Sequence, residues 1–383
     1  MQIAFWLCLA AIAYPYAIYP ALLVLLNRLR GRRAAIDAAR SLSADAAHLP
    51  TVTVILPVHN EARRIEARMR NLLELDYPLE KMQVLVIGDA CTDDSLERAA
   101  AAGGGLVQTI ALAQRAGKAA GLNAGLARAT GEILVFTDAA IMLERPSLRA
   151  LVSHFADPAV GCVSGEDYIE GGETEGLYGR LELLLRREEA LLHSIAGASG
   201  CFYAQRRALC VPFVSGMAPD FLSVLVTVRA GSRALAEPAA RGSMTATSSQ
   251  KAEFSRKVRT FLRGLTALLG NAGLLNPVRY PAFSFILWSH KLARWLAPLP
   301  MLGCLISAWL LRAEPFYLAA FVAQVAAYSA AVLGLWFPAL AQKLGIVRLA
   351  AFFLLVNVAA FQACLLWLVG RRVEVWEPTR RPA

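Results

Sequence analysis

Polar and acidic residues follow three apolar runs of the sequence, each at the point where a strand is predicted to end. The segment PVHNE (57–61) follows TVTVIL, Asp89 follows VLVIG, and Asp138 follows ILVFT. An ionised carboxylate is an acceptor-only group that suits ligand recognition. A lone acid after a strand is also typical of a turn or a helix cap. Three such sites at one edge of a sheet favour a ligand site.

The elements that must position these residues alternate between strands and helices. Strands are predicted over residues 51–56, 83–87, 106–112 and 132–136. Helices are predicted over residues 61–75, 92–102 and 117–129, with Thr92 as the N-cap of the second. Continuous apolar strands separated by short helices indicate an α/β fold with a mostly parallel sheet covered on both faces. In such a sheet, ligands bind beyond the carboxyl ends of the strands.

The composition predicts a membrane protein. Hydrophobic residues make up 57% of the 383 residues and charged residues 18%, against about 45–50% and roughly 25% in soluble domains. Residues 3–26 carry no charge and are long enough to span a bilayer. Arginines at 28, 30, 32 and 33 place the following chain in the cytoplasm. Three more spans are predicted over residues 295–311, 316–340 and 349–370.

The sequence divides into an N-terminal anchor (1–27), a juxtamembrane linker (28–50), a catalytic domain (51–265), interfacial helices (266–294), a transmembrane bundle (295–370) and a basic tail (371–383). Four spans would leave the C-terminus outside, whereas Arg371 and Arg372 favour the inside. Three explanations would resolve this conflict: a re-entrant span, a further crossing within residues 281–295, or a tail that does not follow the positive-inside rule.

Several function classes lack their signatures. The net charge is +10, but the basic residues lie beside membrane segments rather than in a stripe with aromatics, so nucleic acid is not an expected partner. The seven cysteines include no CxxC pair, which disfavours a zinc site. Leu112 and Ala119 stand where a Walker A loop needs Gly and Ser or Thr. GxGxxG after a strand, GxSxG and HExxH are absent.

Four stretches in series resemble the membrane-bound branch of the family 2 glycosyltransferases, which includes bacterial polysaccharide synthases similar to cellulose and hyaluronan synthases. They are VTVILPVHNEARRI (52–65), VLVIGDACTDDS (84–95), RAGKAAGLNAGLARATGEILVFTDA (115–139) and GASGCFYAQRRAL (197–209). The resemblance covers Val52 to Arg263. It implies a Rossmann-like GT-A fold and transfer of a sugar from a UDP-sugar with inversion.

The resemblance also implies a donor site. The residues expected to hold the base and ribose are Pro57, Val58, Asn60, Glu61 and Asp89. Lys118 and Asn123 match the family's Gly-Lys…Leu-Asn element beside the donor. A solvated lysine in the first turn of a helix is the alternative for Lys118. His59 lies in the same loop and is a further candidate for ligand contact.

Two acids carry the implied chemistry. Asp138 matches the first acid of the family's DxD element, near Mg²⁺ or Mn²⁺ on the donor diphosphate, while Ala140 replaces the second acid. One carboxylate can suffice, because Mg²⁺ often binds through one or two carboxylates plus phosphates and water. Asp220 is the only acid in SGMAPDFLS (215–223) and is the expected general base. A helix N-cap is its alternative role.

The stretch KAEFSRKVRTFLRG (251–264) takes the place of the QxxRW element of processive synthases. Gln and Trp are missing, but Arg256 and Arg259 remain as candidate ligands of the donor diphosphate. An interface helix with basic residues facing lipid headgroups is the alternative. The missing tryptophan disfavours a synthase of long polymers.

The expected function is transfer of a sugar from a UDP-sugar to a lipid-linked or polysaccharide acceptor in cell-surface glycan synthesis. The catalytic domain is expected on the cytoplasmic side of the inner membrane, in contact with membrane lipids and with other polysaccharide synthesis or export proteins. Single transfer to a polyprenyl phosphate is an alternative. A non-catalytic nucleotide-sugar-binding subunit is another, because Ala140 and Pro219 stand where acids are expected.

Overall fold

The computed structural model describes residues 1–31, 49–170, 173–245 and 250–371. Most of the predicted linker and of the predicted basic tail lies outside the described residues. The remaining chain forms one α/β domain and a set of apolar helices at both ends of the sequence.

A mixed sheet of eight strands in the order β3-β2-β1-β4-β7-β6-β8-β5 forms the centre of the α/β domain. Strands β1 to β4 are parallel, β6 and β8 are parallel, and the pairs β4–β7, β6–β7 and β5–β8 are antiparallel. The strands are β1 Val52–Val58, β2 Met82–Asp89, β3 Val107–Leu112, β4 Ile133–Thr137, β5 Met142–Leu143, β6 Val160–Glu170, β7 Phe202–Arg206 and β8 Arg233–Thr245.

Helices cover the sheet and extend into the apolar ends of the chain. In the α/β domain they are α2 Ile65–Leu73, α3 Ser95–Gly103, α4 Gly117–Arg128, α5 Ser147–Ser153, α6 Glu173–Leu192, α7 Pro219–Arg229 and α8 Gln250–Leu269. At the ends of the chain they are α1 Gln2–Leu29, α9 Pro281–Leu296, α10 Pro298–Leu310, α11 Pro315–Trp336, α12 Pro338–Lys343 and α13 Gly345–Leu368.

The parallel half of the sheet confirms the predicted α/β fold. Strands β1 and β4 are buried along their whole length, as their continuous apolar sequences predict. The chain runs from β1 to β2 and β3 on one side and then places β4 on the other side of β1, so the strand order reverses between β1 and β4. This switch point forms the crevice in which ligands of open α/β sheets bind.

Two local predictions differ from the structure. Pro57 does not end β1. The pairing of β1 with β4 stops at Ile55, so the missing N–H of Pro57 costs no hydrogen bond to β4. Thr92 is not the N-cap of α3, which begins at Ser95. The Thr92 amide instead donates to the side chain of Asn60 (2.8 Å), so Thr92 belongs to the loop that holds the end of β1.

Three helices are long and apolar enough to cross a membrane: α1, α11 and α13. Helices α9 and α10 pass the same test only as a pair, with a bend of 54° between them, as in a broken span or a re-entrant loop. These features indicate a membrane protein. Helix α1 packs against α10 and α11 through Phe5, Cys304, Ala308 and Tyr317, so the two ends of the chain form one helical layer.

A buried polar network joins this layer to the α/β domain. Glu189 of α6 is fully buried and accepts hydrogen bonds from Tyr19 of α1 (2.9 Å) and from the Ala196 amide (2.9 Å). His290 of α9 places Nδ1 2.6 Å from the same carboxylate. The Asn27 amide of α1 donates to the backbone and side chain of Glu188. The anchor helix is therefore fixed to the domain by directional bonds as well as by apolar packing.

Candidate active site

The loop after β1 forms the first wall of the switch-point crevice. Asn60 adopts a φ of +54°, a left-handed conformation that asparagine tolerates better than most residues. Its side chain binds Thr92, and the Glu61 amide donates to Ser95 Oγ (2.8 Å). His59 Nδ1 lies 2.6 Å from the Asp89 carbonyl oxygen. The predicted donor loop 57–61 is thus held against the end of β2, and its contact with a donor stays a prediction.

Asp89 has a structural role in this arrangement. It is 1% exposed, and its two carboxylate oxygens accept the Ala116 and Gly117 amides at 2.7 and 2.9 Å. These bonds fix the start of α4, the helix that carries Lys118. The Asp89 carboxylate therefore orders the crevice by fixing the first turn of α4. Its direct contact with a nucleotide base stays a prediction.

Lys118 and Asp138 form an ion pair in the crevice. Lys118 Nζ lies 2.6 Å from Asp138 Oδ1 and donates to the Gly200 carbonyl (3.1 Å). Burial opposes the charged lysine, yet the nearby Asp138 carboxylate leaves its pKa raised. Burial also raises the pKa of Glu61, and the charge of Asp138 adds to that effect. The crevice therefore holds positive and negative side chains close together, as suits a site for a charged ligand.

The crevice fits a metal ion that is held by one protein carboxylate and by oxygen atoms of a bound donor. The Asp138 side chain is 25% exposed, and only its Oδ1 atom is engaged by Lys118. Among the described residues, no group of three or more His, Cys, Asp and Glu side chains could hold a metal ion. Mg²⁺ commonly takes one or two carboxylates and fills its other positions with phosphate oxygens and water. Asp138 meets that requirement.

Asp220 also lies beside the loop that contains Gly200. It is the second residue of α7, whose N-cap is Ala218, so it does not cap the helix itself. A Cβ added at Gly200 would stand 3.9 Å from Asp220 Cγ, which places the loop directly beside the carboxyl group. Burial raises the pKa of Asp220, and the charges of Lys118 and Lys291 oppose the shift. A carboxyl group with a raised pKa in a crevice suits proton transfer.

The other predicted donor ligands have partners within the protein. The Asn123 side chain exchanges two hydrogen bonds with the Phe213 backbone (2.9 and 2.7 Å) and so holds the segment that leads to α7. Arg256 forms a two-pronged ion pair with Glu253 of its own helix (2.7 and 2.8 Å). Arg259 lies one turn further along α8, close enough for its charge to affect Arg263. Their contacts with a donor diphosphate stay predictions.

Three cationic residues near the crevice were not found from the sequence. Arg68 of α2 is fully buried and donates to Thr137 Oγ1 (2.9 Å), directly before Asp138; burial lowers its pKa to about 9. The charge of Asp220 acts on Arg263 of α8, and the charge of Lys291 of α9 acts on Asp220. Arg68 lies in a helix with an amphipathic pattern, and Arg263 and Lys291 come near Asp220 only in the folded chain.

The comparisons with known proteins agree with this geometry. The sequence profile of "Glycosyl transferase family 2" matches residues 53–210, from β1 to the turn after β7. The chain contains a family 2 glycosyltransferase domain. The matched residues include the crevice acids Asp89 and Asp138 together with Lys118, whereas Asp220 lies ten residues beyond the match. The resemblance seen in the sequence motifs is thereby confirmed.

Two curated proteins illustrate what the glycosyltransferase domain resembles. Poly-β-1,6-N-acetyl-D-glucosamine synthase of Staphylococcus aureus is 25% identical over 179 residues, 43% of this chain and 41% of that protein. Glycosyltransferase AglE of Haloferax volcanii is 26% identical over 162 residues, 41% of this chain and 53% of that protein. The chain thus matches about half or less of the length of these relatives.

A solved structure resembles the whole chain. The mannosyltransferase PcManGT from Pyrobaculum calidifontis, determined in complex with GDP-Man and Mn²⁺, aligns with a TM-score of 0.72 and 24% identity. The alignment covers 97% of this chain and 99% of that one. The similarity confirms the GT-A fold together with its flanking helices, because it extends well beyond the glycosyltransferase domain itself.

Proposed function

We propose that the protein is an inverting glycosyltransferase that moves a sugar from a nucleoside-diphosphate sugar to an acceptor at the membrane surface. The observation that carries this proposal is that both acids lie near one loop residue. The Gly200 carbonyl oxygen accepts a hydrogen bond from Lys118, which pairs with Asp138, and a Cβ added at Gly200 would stand 3.9 Å from Asp220 Cγ. A donor diphosphate at Asp138 and an acceptor hydroxyl at Asp220 would therefore meet beside this loop.

The residues of the crevice suit a single displacement. Asp220 takes the proton of an acceptor hydroxyl while that oxygen attacks the anomeric carbon, and the bond from this carbon to the diphosphate breaks with inversion. Lys118 supplies positive charge on the side where the diphosphate leaves. Asp138 would hold Mg²⁺ or Mn²⁺, which neutralises charge on the leaving diphosphate when bound. The raised pKa of Asp220 strengthens it as a base toward neutral pH.

The donor is proposed to be a UDP-sugar, as the family resemblance implies. GDP-mannose is a second candidate, because the structure that resembles nearly the whole chain was determined with GDP-Man and Mn²⁺. Both donors present a diphosphate to Asp138 and Lys118, so the same crevice chemistry serves either. They differ in the base, which the loop 57–61 and the end of β2 would surround.

The acceptor is proposed to be a lipid-linked glycan or a polysaccharide, used on the cytoplasmic side of the membrane. Helices α8 and α9 lead from Asp220 toward the apolar helices, which supports an acceptor at the membrane surface. If the bent pair α9–α10 is a re-entrant loop, α11 and α13 return the chain to the cytoplasm. That topology places Arg371 inside and removes the conflict in the positive-inside count. A polyprenyl-phosphate acceptor fits the same geometry.

The test is release of UDP or GDP by purified protein in lipid nanodiscs, with a panel of UDP-sugars and GDP-mannose, Mg²⁺ or Mn²⁺ and membrane lipid extract. Asp220→Asn should slow release at least 100-fold, because a general base contributes about 10²–10⁴-fold, while donor affinity stays within twofold. Glu80→Gln, at an exposed site, is the matched control. Binding of a donor without any turnover by the wild type would instead support a non-catalytic binding subunit.

A further inference from the structure

Arg68 is a fully buried cation on an otherwise apolar helix face. It is 0% exposed and shares the buried side of α2 with Ile65, Met69 and Leu72. Its Nε atom has no hydrogen-bond partner within the described parts of the chain. Burial opposes the charge of Arg68, and the charge of Asp138 favours it. Because an apolar side chain of similar size would often be at least as stable in a core, packing alone does not account for an arginine here.

The two hydrogen bonds of Arg68 lead to both ends of the segment that begins with Asp138. Nη2 donates to Thr137 Oγ1 (2.9 Å), and Nη1 donates to Asn71 Oδ1. The Asn71 side chain in turn accepts the Leu143 amide (2.9 Å) and donates to the Leu143 carbonyl (2.8 Å). Thr137 precedes Asp138, and Leu143 follows it by five residues. Helix α2 therefore holds the segment 138–142 at both of its ends.

The segment itself offers little that could orient the Asp138 side chain. The pairing of β4 with β7 ends at Thr137, and no residue between Asp138 and Leu143 has a polar side chain. The Asp138 amide donates to the Cys201 carbonyl (3.3 Å), and Lys118 engages Oδ1. The direction of the other carboxylate oxygen, Oδ2, therefore depends on the backbone that Thr137 and Leu143 fix.

The missing second acid makes this direction important. Ala140 stands where a second acid is expected, so the element supplies a single carboxylate to a metal. A site with two carboxylates can keep its metal when one of them rotates, whereas a site with one carboxylate cannot. Groups that orient a metal ligand typically contribute about 10- to 100-fold to metal affinity or activity.

We infer that Arg68 is a positioning residue for Asp138 and directs Oδ2 toward the metal on the donor diphosphate. The inference rests on the proposed glycosyltransferase function and adds a residue to its donor site. Because Arg68 is fully buried, it acts through Thr137 and Asn71 rather than by touching the donor.

The test measures how strongly Mn²⁺ increases nucleotide affinity, expressed as the ratio of UDP affinity with the metal to UDP affinity without it. Titration calorimetry on purified protein in nanodiscs gives both affinities, and GDP is titrated in parallel. Thr137→Val replaces the hydroxyl that Arg68 binds by a methyl group, and Arg68→Met removes the guanidinium. Each variant should lower the ratio about 10- to 100-fold, while metal-free affinity stays within about twofold of the wild-type value.

Four further variants serve as comparisons. Thr137→Ser keeps the hydroxyl, so its ratio should stay within about threefold of the wild-type ratio. Arg70→Met removes an exposed arginine from the same helix and should leave the ratio unchanged. Arg68→Lys keeps the charge but not the fork that reaches Thr137 and Asn71 together, so its ratio should be intermediate. The double variant Arg68→Met/Thr137→Val should lower the ratio no further than the more affected single variant, because both changes remove one hydrogen bond.

An unchanged ratio in Thr137→Val would overturn the inference, and this variant decides the question even if Arg68→Met does not fold. A lower melting temperature of Arg68→Met with an unchanged ratio would show that Arg68 only supports the core. A wild-type ratio in Asp138→Asn would remove the metal from Asp138 and the inference with it. If the wild type binds no nucleotide, the proposed function itself fails. If the wild type binds and turns over a donor with Mn²⁺ while the variants match it, that function stands and only the role of Arg68 fails.

Discussion

Replacement of Glu189 by glutamine tests whether the buried polar network couples the membrane anchor to the active site. Glu189 Oε1 faces Tyr19 Oη (2.9 Å) and His290 Nδ1 (2.6 Å), and Oε2 accepts the Ala196 amide (2.9 Å). A glutamine can keep its oxygen at the first position, but its NH₂ group then faces the Ala196 N–H, donor against donor. One buried donor is left unsatisfied at a cost of about 1–3 kcal/mol, and two bonds lose their charge assistance.

The expected destabilisation by Glu189→Gln is therefore roughly 2–4 kcal/mol. Glu189→Ala, which leaves all three donors without an acceptor, should cost more, about 3–5 kcal/mol by analogy with broken buried pairs. The assay is the apparent melting temperature of the protein in nanodiscs, which should fall by several degrees. Glu66→Gln is the matched control. Glu66 is 41% exposed in its ion pairs with Arg70 and Arg98, so its substitution should change the free energy of unfolding by less than about 1 kcal/mol.

The same substitution should affect catalysis, because Ala196 begins the loop that contains Gly197 and Gly200. We expect kcat to fall several-fold with little change in donor affinity. The reasoning is refuted if Glu189→Gln melts within a degree of Glu66→Gln, since the carboxylate would then be solvated. Unchanged kcat in a clearly destabilised variant would show that the network anchors the helices without positioning the loop.

Four further predictions concern the crevice and its packing. Asp138→Asn should abolish the stimulation of donor binding by Mn²⁺, measured by titration with and without the metal, and equal stimulation would exclude Asp138 as a ligand. Burial raises the pKa of Asp220, so kcat/KM should rise with pH through that pKa and fall as acid protonates the base. Because the raised pKa makes the ionised form costly, Asp220→Asn should melt no lower than the wild type at pH 8, and a lower melting temperature would contradict the burial argument. Gly125→Ala places a Cβ 2.5 Å from Ile55 Cγ2 and should cost about 1–3 kcal/mol, whereas Gly179→Ala meets open space and should be neutral or slightly stabilising, so equal melting temperatures would show that α4 adjusts freely.

Much of the fold could be predicted because local patterns and burial agree. The apolar runs that became β1 and β4 are buried throughout, and β2 is buried except at Gln83, so their composition identified strands and a parallel arrangement. The boundaries were less certain, because tertiary contacts decide them. Pro57 lies within β1 only because the neighbouring ladder ends early, and Thr92 precedes α3 because Asn60 binds its amide. Neither partner is near in sequence.

The candidate site divides in the same way. Asp138 and Lys118 lie in motifs, and the structure brings them within 2.6 Å. The supporting residues show no local signal. Asp89 and Asn123 have carboxylate and amide groups occupied by backbone partners 27 and 90 residues away. A motif therefore identified residues that matter but did not distinguish those that face a ligand from those that hold the wall of the crevice.

Arg263 and Lys291 show the opposite limit of sequence reasoning. Each lies in a helix that reads as an interface helix, where basic residues facing lipid headgroups are the ordinary expectation. The structure instead buries Arg263, and the charge of Asp220 acts on it. Lys291 lies over the Phe221 ring and is influenced by the carboxylates of Glu182 and Glu189. These partners belong to other elements of the chain, so no local pattern in either helix could indicate them.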